Sequence, residues 1–321
     1  MTASLEKTAR RRDTSRTPAF FYPSAREGMR DLLVNSAAAL ERGVLLPGFI
    51  GWSAIEGSGV FDPVREAEVQ YGFYGLNPDL SADLDEVEAQ LKSGGYGVLV
   101  IIHYYGRSEP RLQELRRMAD EHDVILVEDL AHGFFTSQSE SSAGRFGDVL
   151  LFSLHKQFPL AEGGMALYRN AGLIEKQVGT RPDLAVEVLS YDWREIANAR
   201  RRNFSVLTSH LLELPECGNE FTLLWPELSE GDVPQTLPIW VHGEIRDSIY
   251  RRMNAEGFGM VSLYHTLIQE LGGAFPRLEK LSRHIINFPV HQDVVTNEIP
   301  SLVDSFRASL HQMTEKQIGD S

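Results

Sequence analysis

The sequence predicts an α/β fold: a mostly parallel central sheet flanked by helices, with a smaller C-terminal α/β domain. Three observations predict it. Short apolar runs stand at 98–102 (VLVII), 124–127 (VILV) and 149–152 (VLLF), continuous rather than alternating, as strands buried on both faces require. Between the first two runs, Leu112, Leu115 and Met118 follow Pro110 at helical spacing, so strand, helix and strand make a right-handed crossover unit. Polar residues then gather where the runs end: Glu128 and Asp129 after one, Ser153, His155 and Lys156 after the next. In open α/β sheets, ligands bind outside the carboxyl ends of the strands.

The other elements follow in chain order. Ser24 is a good N-cap for a helix carrying Met29, Leu32 and Leu33 on one face. Such a start, opened by Ser24, Ala25 and Arg26, is either a plain capped helix or an anion site where free backbone N–H groups meet a ligand. Residues 43–49 read as a strand and its exit, with Trp52 just beyond. Gly163 and Gly164 open a further short strand at 165–168. Past Asn170 a long helix is expected from Arg200, with Phe204, Leu207, Leu211 and Leu214 on its apolar face and Arg200, Arg201 and Arg202 on a solvated one. Residues 215–238 read as loop with one short strand. Ile245, Ile249 and Met253 mark a helix closed by Gly257, residues 285–290 a strand, and Pro300 the start of a last helix.

A chain of 321 residues accommodates a large domain, expected at 18–195, and a small one with its linking helix at 196–321. Residues 1–17, rich in arginine with no apolar core close behind, read as a flexible arm rather than a secretory signal. With 42% hydrophobic and 24% charged residues the composition is that of a soluble globular protein. A net charge of -14 argues against nucleic acid as a partner. No apolar run approaches the ~18 residues of a membrane span. The single cysteine, Cys217, excludes an internal disulfide framework and suits a reducing cytoplasm.

An acid at one strand end and a lysine just past the next suit pyridoxal 5′-phosphate. That cofactor needs an amine to hold its aldehyde and an anion beside its pyridine nitrogen. Lys156 and Asp129 supply these, Ser153 stands in the turn that leads to the lysine and can reach the phosphate, and His132 can donate to the ring hydroxyl or lie against the ring. His103, at the end of the 98–102 run, is read as a structural histidine.

The motifs E-D-x-A-H-G at 128–133, G-D at 147–148, F-S-x-H at 152–155 and E-G-G at 162–164 resemble those of the DegT/StrS sugar aminotransferases, which are fold-type I pyridoxal phosphate enzymes. The likeness runs from about residue 24 to 293 and is densest in the centre. Two departures mark a shortened, divergent member: the lysine follows the serine more closely than in many relatives, and the long loop after the lysine strand is missing. The resemblance implies phosphate contacts at Ala25 and Arg26, and an aromatic residue stacked on the cofactor near Trp52, although the aligned position falls on Gly51.

It also implies an aminotransferase that takes nitrogen from an amino donor, glutamate foremost, to a small-molecule carbonyl acceptor such as a nucleotide-linked keto-sugar. Arg107, Arg246 and Arg251 are candidates for binding a substrate anion. A homodimer with sites near the subunit interface is expected by the same analogy. The alternatives are a pyridoxal phosphate lyase or dehydratase, against which Lys156 speaks because eliminating relatives carry histidine there, and a non-catalytic regulator that keeps the fold.

Overall fold

The computed structural model describes residues 18–173 and 179–319; the expected arm at 1–17 lies outside them. Among the described residues ten strands follow in chain order: β1 (Ala19–Tyr22), β2 (Val44–Pro47), β3 (Tyr71–Tyr74), β4 (Val98–Ile102), β5 (Ile125–Asp129), β6 (Val149–Ser153), β7 (Gly164–Tyr168), β8 (Phe221–Leu223), β9 (Thr236–Val241) and β10 (Ile285–Pro289).

The first seven form one sheet in the order β1-β7-β6-β5-β4-β2-β3. Strands β2 to β6 run parallel, while β7 lies antiparallel between β6 and β1. The central strands are buried throughout, which is why β4 and β6 read as unbroken apolar runs. β5 ends instead on Glu128 and Asp129, which sit beside Ile101 and Ile102 of β4 and Leu150 and Leu151 of β6. The carboxyl ends of β2, β4, β5 and β6, together with the start of β7, therefore form one edge, and the polar residues of the motifs lie along it.

Strands β8, β9 and β10 make a second, antiparallel sheet in the order β10-β9-β8. β9 begins within the stretch expected to be loop. The reason is Pro238, which occupies the middle strand opposite Asn287, where a residue without an N–H is seldom found. The helix Trp193–Leu212 starts earlier than expected, with Asp192 as N-cap accepting from the Glu195 N–H at 3.0 Å, and it crosses the expected boundary at 195/196.

An apolar core of Phe204, Leu207, Leu211, Phe288 and Phe306 unites the second sheet with its helices. Trp225, Ile268, Leu271, Leu278 and Leu281 leave that part of the chain and join the core of the large sheet instead. Each such side chain contributes about 1.5–3 kcal/mol when fully buried, so the two layers are welded rather than hinged on a thin linker. Among the described residues no helix is long and apolar enough to cross a membrane.

Candidate active site

A cavity of about 470 Å³ lies at the carboxyl edge of the large sheet. Ala25, Arg26, Trp52, Asp129, His132, Ser153 and Lys156, the residues singled out in the sequence, all line it. The fold brings them there from separate elements, so their convergence follows from topology rather than from sequence proximity.

Strand alternation separates the two carboxylates of β5. Glu128 is fully buried and points away from the cavity; it accepts bonds from His103 Nε2 at 2.9 Å and from the N–H groups of Phe146 at 2.9 Å, Gly144 at 2.5 Å and Gly147 at 2.5 Å. His103 Nδ1 accepts from the Glu109 N–H at 3.1 Å, so its Nε2 carries the proton donated to Glu128. Burial opposes the Glu128 charge, but the bonds from His103 and the loop N–H groups outweigh it and hold the carboxyl below its usual range. His103 thus has the structural role expected of it.

Asp129 faces the cavity with 8% exposure. Its Oδ1 accepts from the Ala131 N–H at 2.8 Å, and among the described residues no cation comes within ion-pair distance. Burial raises its pKa above the usual carboxylate range, against the pull of the Ala131 bond and the Lys156 charge. Lys156 sits in the tight turn after β6, and burial pushes its amine down from the usual lysine range while Asp129 and Glu56 pull it back up. The site therefore holds a carboxylate and an amine that both lack a close counter-ion, a pair of groups poised for a ligand carrying the opposite charges.

His132 Nδ1 accepts from the Tyr105 N–H at 3.3 Å, which leaves Nε2–H as a donor. Burial, aided by the Lys156 charge, drops its pKa well below the ordinary histidine value, so the ring is neutral. Its ring lies nearly parallel to Tyr105 at 6.2 Å and edge-on to Tyr264 at 5.9 Å. Both tyrosines hold left-handed backbones, Tyr105 at φ 56 and Tyr264 at φ 59, a strain of about 1–3 kcal/mol each that the surrounding packing must sustain.

The helix Ala25–Asn35 presents its first turn to the cavity. Ser24 caps it, with Oγ accepting from the Glu27 N–H at 3.4 Å. Gly164 of β7 passes so close that a Cβ there would stand 2.1 Å from the Ser24 carbonyl carbon and 2.3 Å from the Ala25 nitrogen. The glycine lets strand and helix start form one cup, with Ser153 on the same wall. Arg26 bonds the Glu56 carbonyl and lies 3.8 Å from Asp62, which fixes a cation at the rim.

Trp52 is 43% exposed at the cavity mouth and is not a core residue. Beside it, Gly51 leaves room for Tyr264, whose ring edge would come within 3.3 Å of a Cβ there. Tyr264 and Glu56 also line the cavity, and neither stands in a recognisable motif. Burial, with Asp129 adding to it, pushes the Tyr264 hydroxyl well above its normal pKa. The arginines expected to bind an anion lie elsewhere. Arg107 pairs with Asp79 at 3.3 Å, Arg246 with Asp247 at 2.8 Å, and Arg251 bonds the Asp247 carbonyl at 3.1 Å. Of the 200–202 triplet only Arg202 lies on a solvated face: Arg200 is 2% exposed, and the half-buried Arg201 bonds the Asp232 and Gly231 carbonyls at 2.8 and 2.9 Å.

These residues fit pyridoxal phosphate. The cup of helix start, Gly164 and Ser153 suits a phosphate, Asp129, with no ion-pair partner among the described residues, a ring N–H, and Lys156, in the same position, an aldehyde.

Residues 74–181, which include Asp129 and Lys156, match the model of the DegT/DnrJ/EryC1/StrS aminotransferase family, so the resemblance carried by the central motifs is borne out. GDP-perosamine synthase of Vibrio cholerae is 31% identical over 99 residues, 30% of this chain and 26% of that protein. L-glutamine:2-deoxy-scyllo-inosose aminotransferase of Streptomyces kanamyceticus is 27% identical over 212 residues, 63% of this chain and 48% of that one. The chain thus spans about half or less of the curated relatives it matches. The solved structure of PseC from Helicobacter pylori, an aminotransferase involved in pseudoaminic acid biosynthesis, superposes with a TM-score of 0.73 and 17% identity over 92% of this chain and 87% of that one. At that identity the likeness establishes the fold alone: an α/β architecture with a mostly parallel central sheet.

Proposed function

Taking the aminotransferase family match as premise, we propose that this chain is a pyridoxal 5′-phosphate-dependent aminotransferase that transfers an amino group from an amino acid to a keto-sugar. The observation that carries this reading is the meeting of a buried Asp129 and a half-buried Lys156, neither with an ion-pair partner among the described residues, in one cavity beside a capped helix start. When bound, pyridoxal phosphate supplies an electron-accepting ring and carries the amino group between the two substrates.

The chain's own groups do the rest. Asp129 accepts the ring N–H and favours its protonated form. His132, neutral with Nε2–H free to donate, addresses the ring oxygen. Ala25 and Arg26 with Ser153 hold the phosphate, and Gly164 keeps the cup open to it. Lys156 Nζ, with its basicity lowered by burial, gives up its proton more readily than an ordinary lysine and can move a proton to and from the donor α-carbon. Trp52 and Tyr264 wall the cavity against water.

In the same reading glutamate is the donor, residues 18–195 form the cofactor domain and 196–321 the smaller one, and the protein is a cytoplasmic homodimer whose partner covers the open mouth beside Trp52. Retention of lysine, rather than histidine, at position 156 favours transfer over elimination. The test is direct. Protein loaded with pyridoxal phosphate should show a visible absorption band, and borohydride reduction followed by peptide mapping should place the label on Lys156. Lys156→Ala should fold, bind without the band and take no label; a label on another lysine overturns the assignment.

A further inference from the structure

Lys156 lines a second cavity as well, of about 270 Å³, together with Gln157, Arg200, Gln235, His291, Gln292 and Asp293. Arg200 is the unusual member. It is 2% exposed, and among the described residues its partners are all neutral: the Pro234 and Gln157 carbonyls at 3.4 Å, Gln235 Oε1 at 3.2 Å and the Phe135 ring, 5.4 Å from the guanidinium carbon. Its Nε is buried with no partner among the described residues. Burial pushes the guanidinium pKa down to about 10, opposed only by the distant charge of Asp293. Asp293 itself turns to His291 at 3.4 Å, and its side chain is 77% exposed. A buried cation among neutral acceptors is costly unless something else supplies the anion.

The surroundings hold that cation in a fixed relation to the lysine. Gln235 accepts from Arg200 through Oε1 and donates through Nε2 to the Lys156 carbonyl at 3.0 Å. Gln157 Nε2 donates to the same Gln235 oxygen at 2.5 Å. A guanidinium matches a carboxylate in charge and in planar, two-toothed geometry. An α-amino acid carries its carboxylate on the carbon that bears its amine, and the amine is the group destined for the Lys156 end of the cavity.

We propose that Arg200 recognises the carboxylate of the amino-acid donor, in the cavity that Lys156 shares with it. The inference rests on the aminotransferase reading above. It names a binding residue on the linking helix that no motif indicates.

Glutarate and its uncharged diamide, glutaramide, test it, since neither can donate nitrogen. Titrations are followed by calorimetry on protein with and without pyridoxal phosphate. Wild type should bind glutarate and not glutaramide. Arg200→Met should weaken glutarate binding at least tenfold, with Arg200→Lys in between, and in turnover should raise the KM for the donor far more than it lowers kcat. Gln235→Glu, which sets a carboxylate against Arg200, should block glutarate in the same way, and it serves if the Met variant does not fold. Equal binding of the diamide, or unchanged glutarate affinity in a folded Arg200→Met protein, overturns the proposal. Arg200-dependent glutarate binding in a protein that never develops the visible band would overturn the aminotransferase reading and leave the carboxylate subsite standing.

Discussion

Glu128 and Asp129 are consecutive residues of β5 and both are buried, yet the two faces of that strand treat them in opposite ways. On one face Glu128 is saturated by His103 and the N–H groups of the 144–147 loop, and it ionises more readily than usual. On the other, Asp129 keeps a single backbone bond and ionises less readily. Burial is common to both, so burial does not mark a functional group. What differs is how much of the desolvation is compensated by fixed donors, and the uncompensated carboxylate is the one that faces a cavity.

The two faces can be broken separately. Asp129→Asn should reduce amino transfer by on the order of a hundred- to a thousandfold, the scale of losing one preorganised electrostatic contact to the reacting group. Steady-state rates on the loaded protein check it, and a wild-type rate would reduce Asp129 to a turn former for Ala131. Glu128→Gln should do the reverse. The folded fraction should keep most of its activity while stability falls by about 3 kcal/mol, because donors arranged for a carboxylate are left poorly matched. Urea titrations give that difference. Glu128 titrates below its ordinary value of 4.5 in the fold, so its contribution is complete above pH 4.5 and is lost as pH falls through the lower folded value. The Gln variant should lack that acid limb.

The smallest effect sharpens the contrast. In the cofactor-free chain, Asp129→Asn should stabilise, by up to roughly 1 kcal/mol, because the ionised carboxylate is held there at a cost. Its folded pKa lies above the ordinary 3.8, so the cost is present once pH exceeds the folded value and disappears below 3.8, where both states are protonated. Melting temperatures measured across that range check the sign; a destabilised variant at neutral pH would show that Asp129 finds its compensation within the protein.

Much of this was readable from the chain. β4, β5 and β6 announced themselves as apolar runs, and Asp129, Ser153 and Lys156 stood at their ends, where topology alone brings groups together. His132 follows Asp129 closely enough to share its edge. Tyr264 and Arg200 were not readable in that way. Tyr264 reaches the cavity from a loop of the distant C-terminal part, on a left-handed backbone that no turn motif signals. Arg200 belongs to a triplet whose charges looked like a wet helix face, and only the packing of Gln157 and Gln235 around it shows that one of the three is enclosed. Local pattern reveals strand ends; it carries no information on which remote side chains close over them.

The glycine at the start of β7 has a consequence for assembly. Among the described residues β1 pairs as a strand with β7 alone, with Thr180 and Arg181 donating to its Phe21 carbonyl, and the helix that follows it completes the cup by leaning on Gly164. The first described strand of the chain thus shares a wall with one made much later, and the cup cannot exist until that long loop has closed. An anion seated there works as a clasp on the outer border of the sheet. Filling the site should therefore slow amide exchange in β1 more than in the interior strands, tying cofactor loading to the resistance of the N-terminal border to fraying and to proteases.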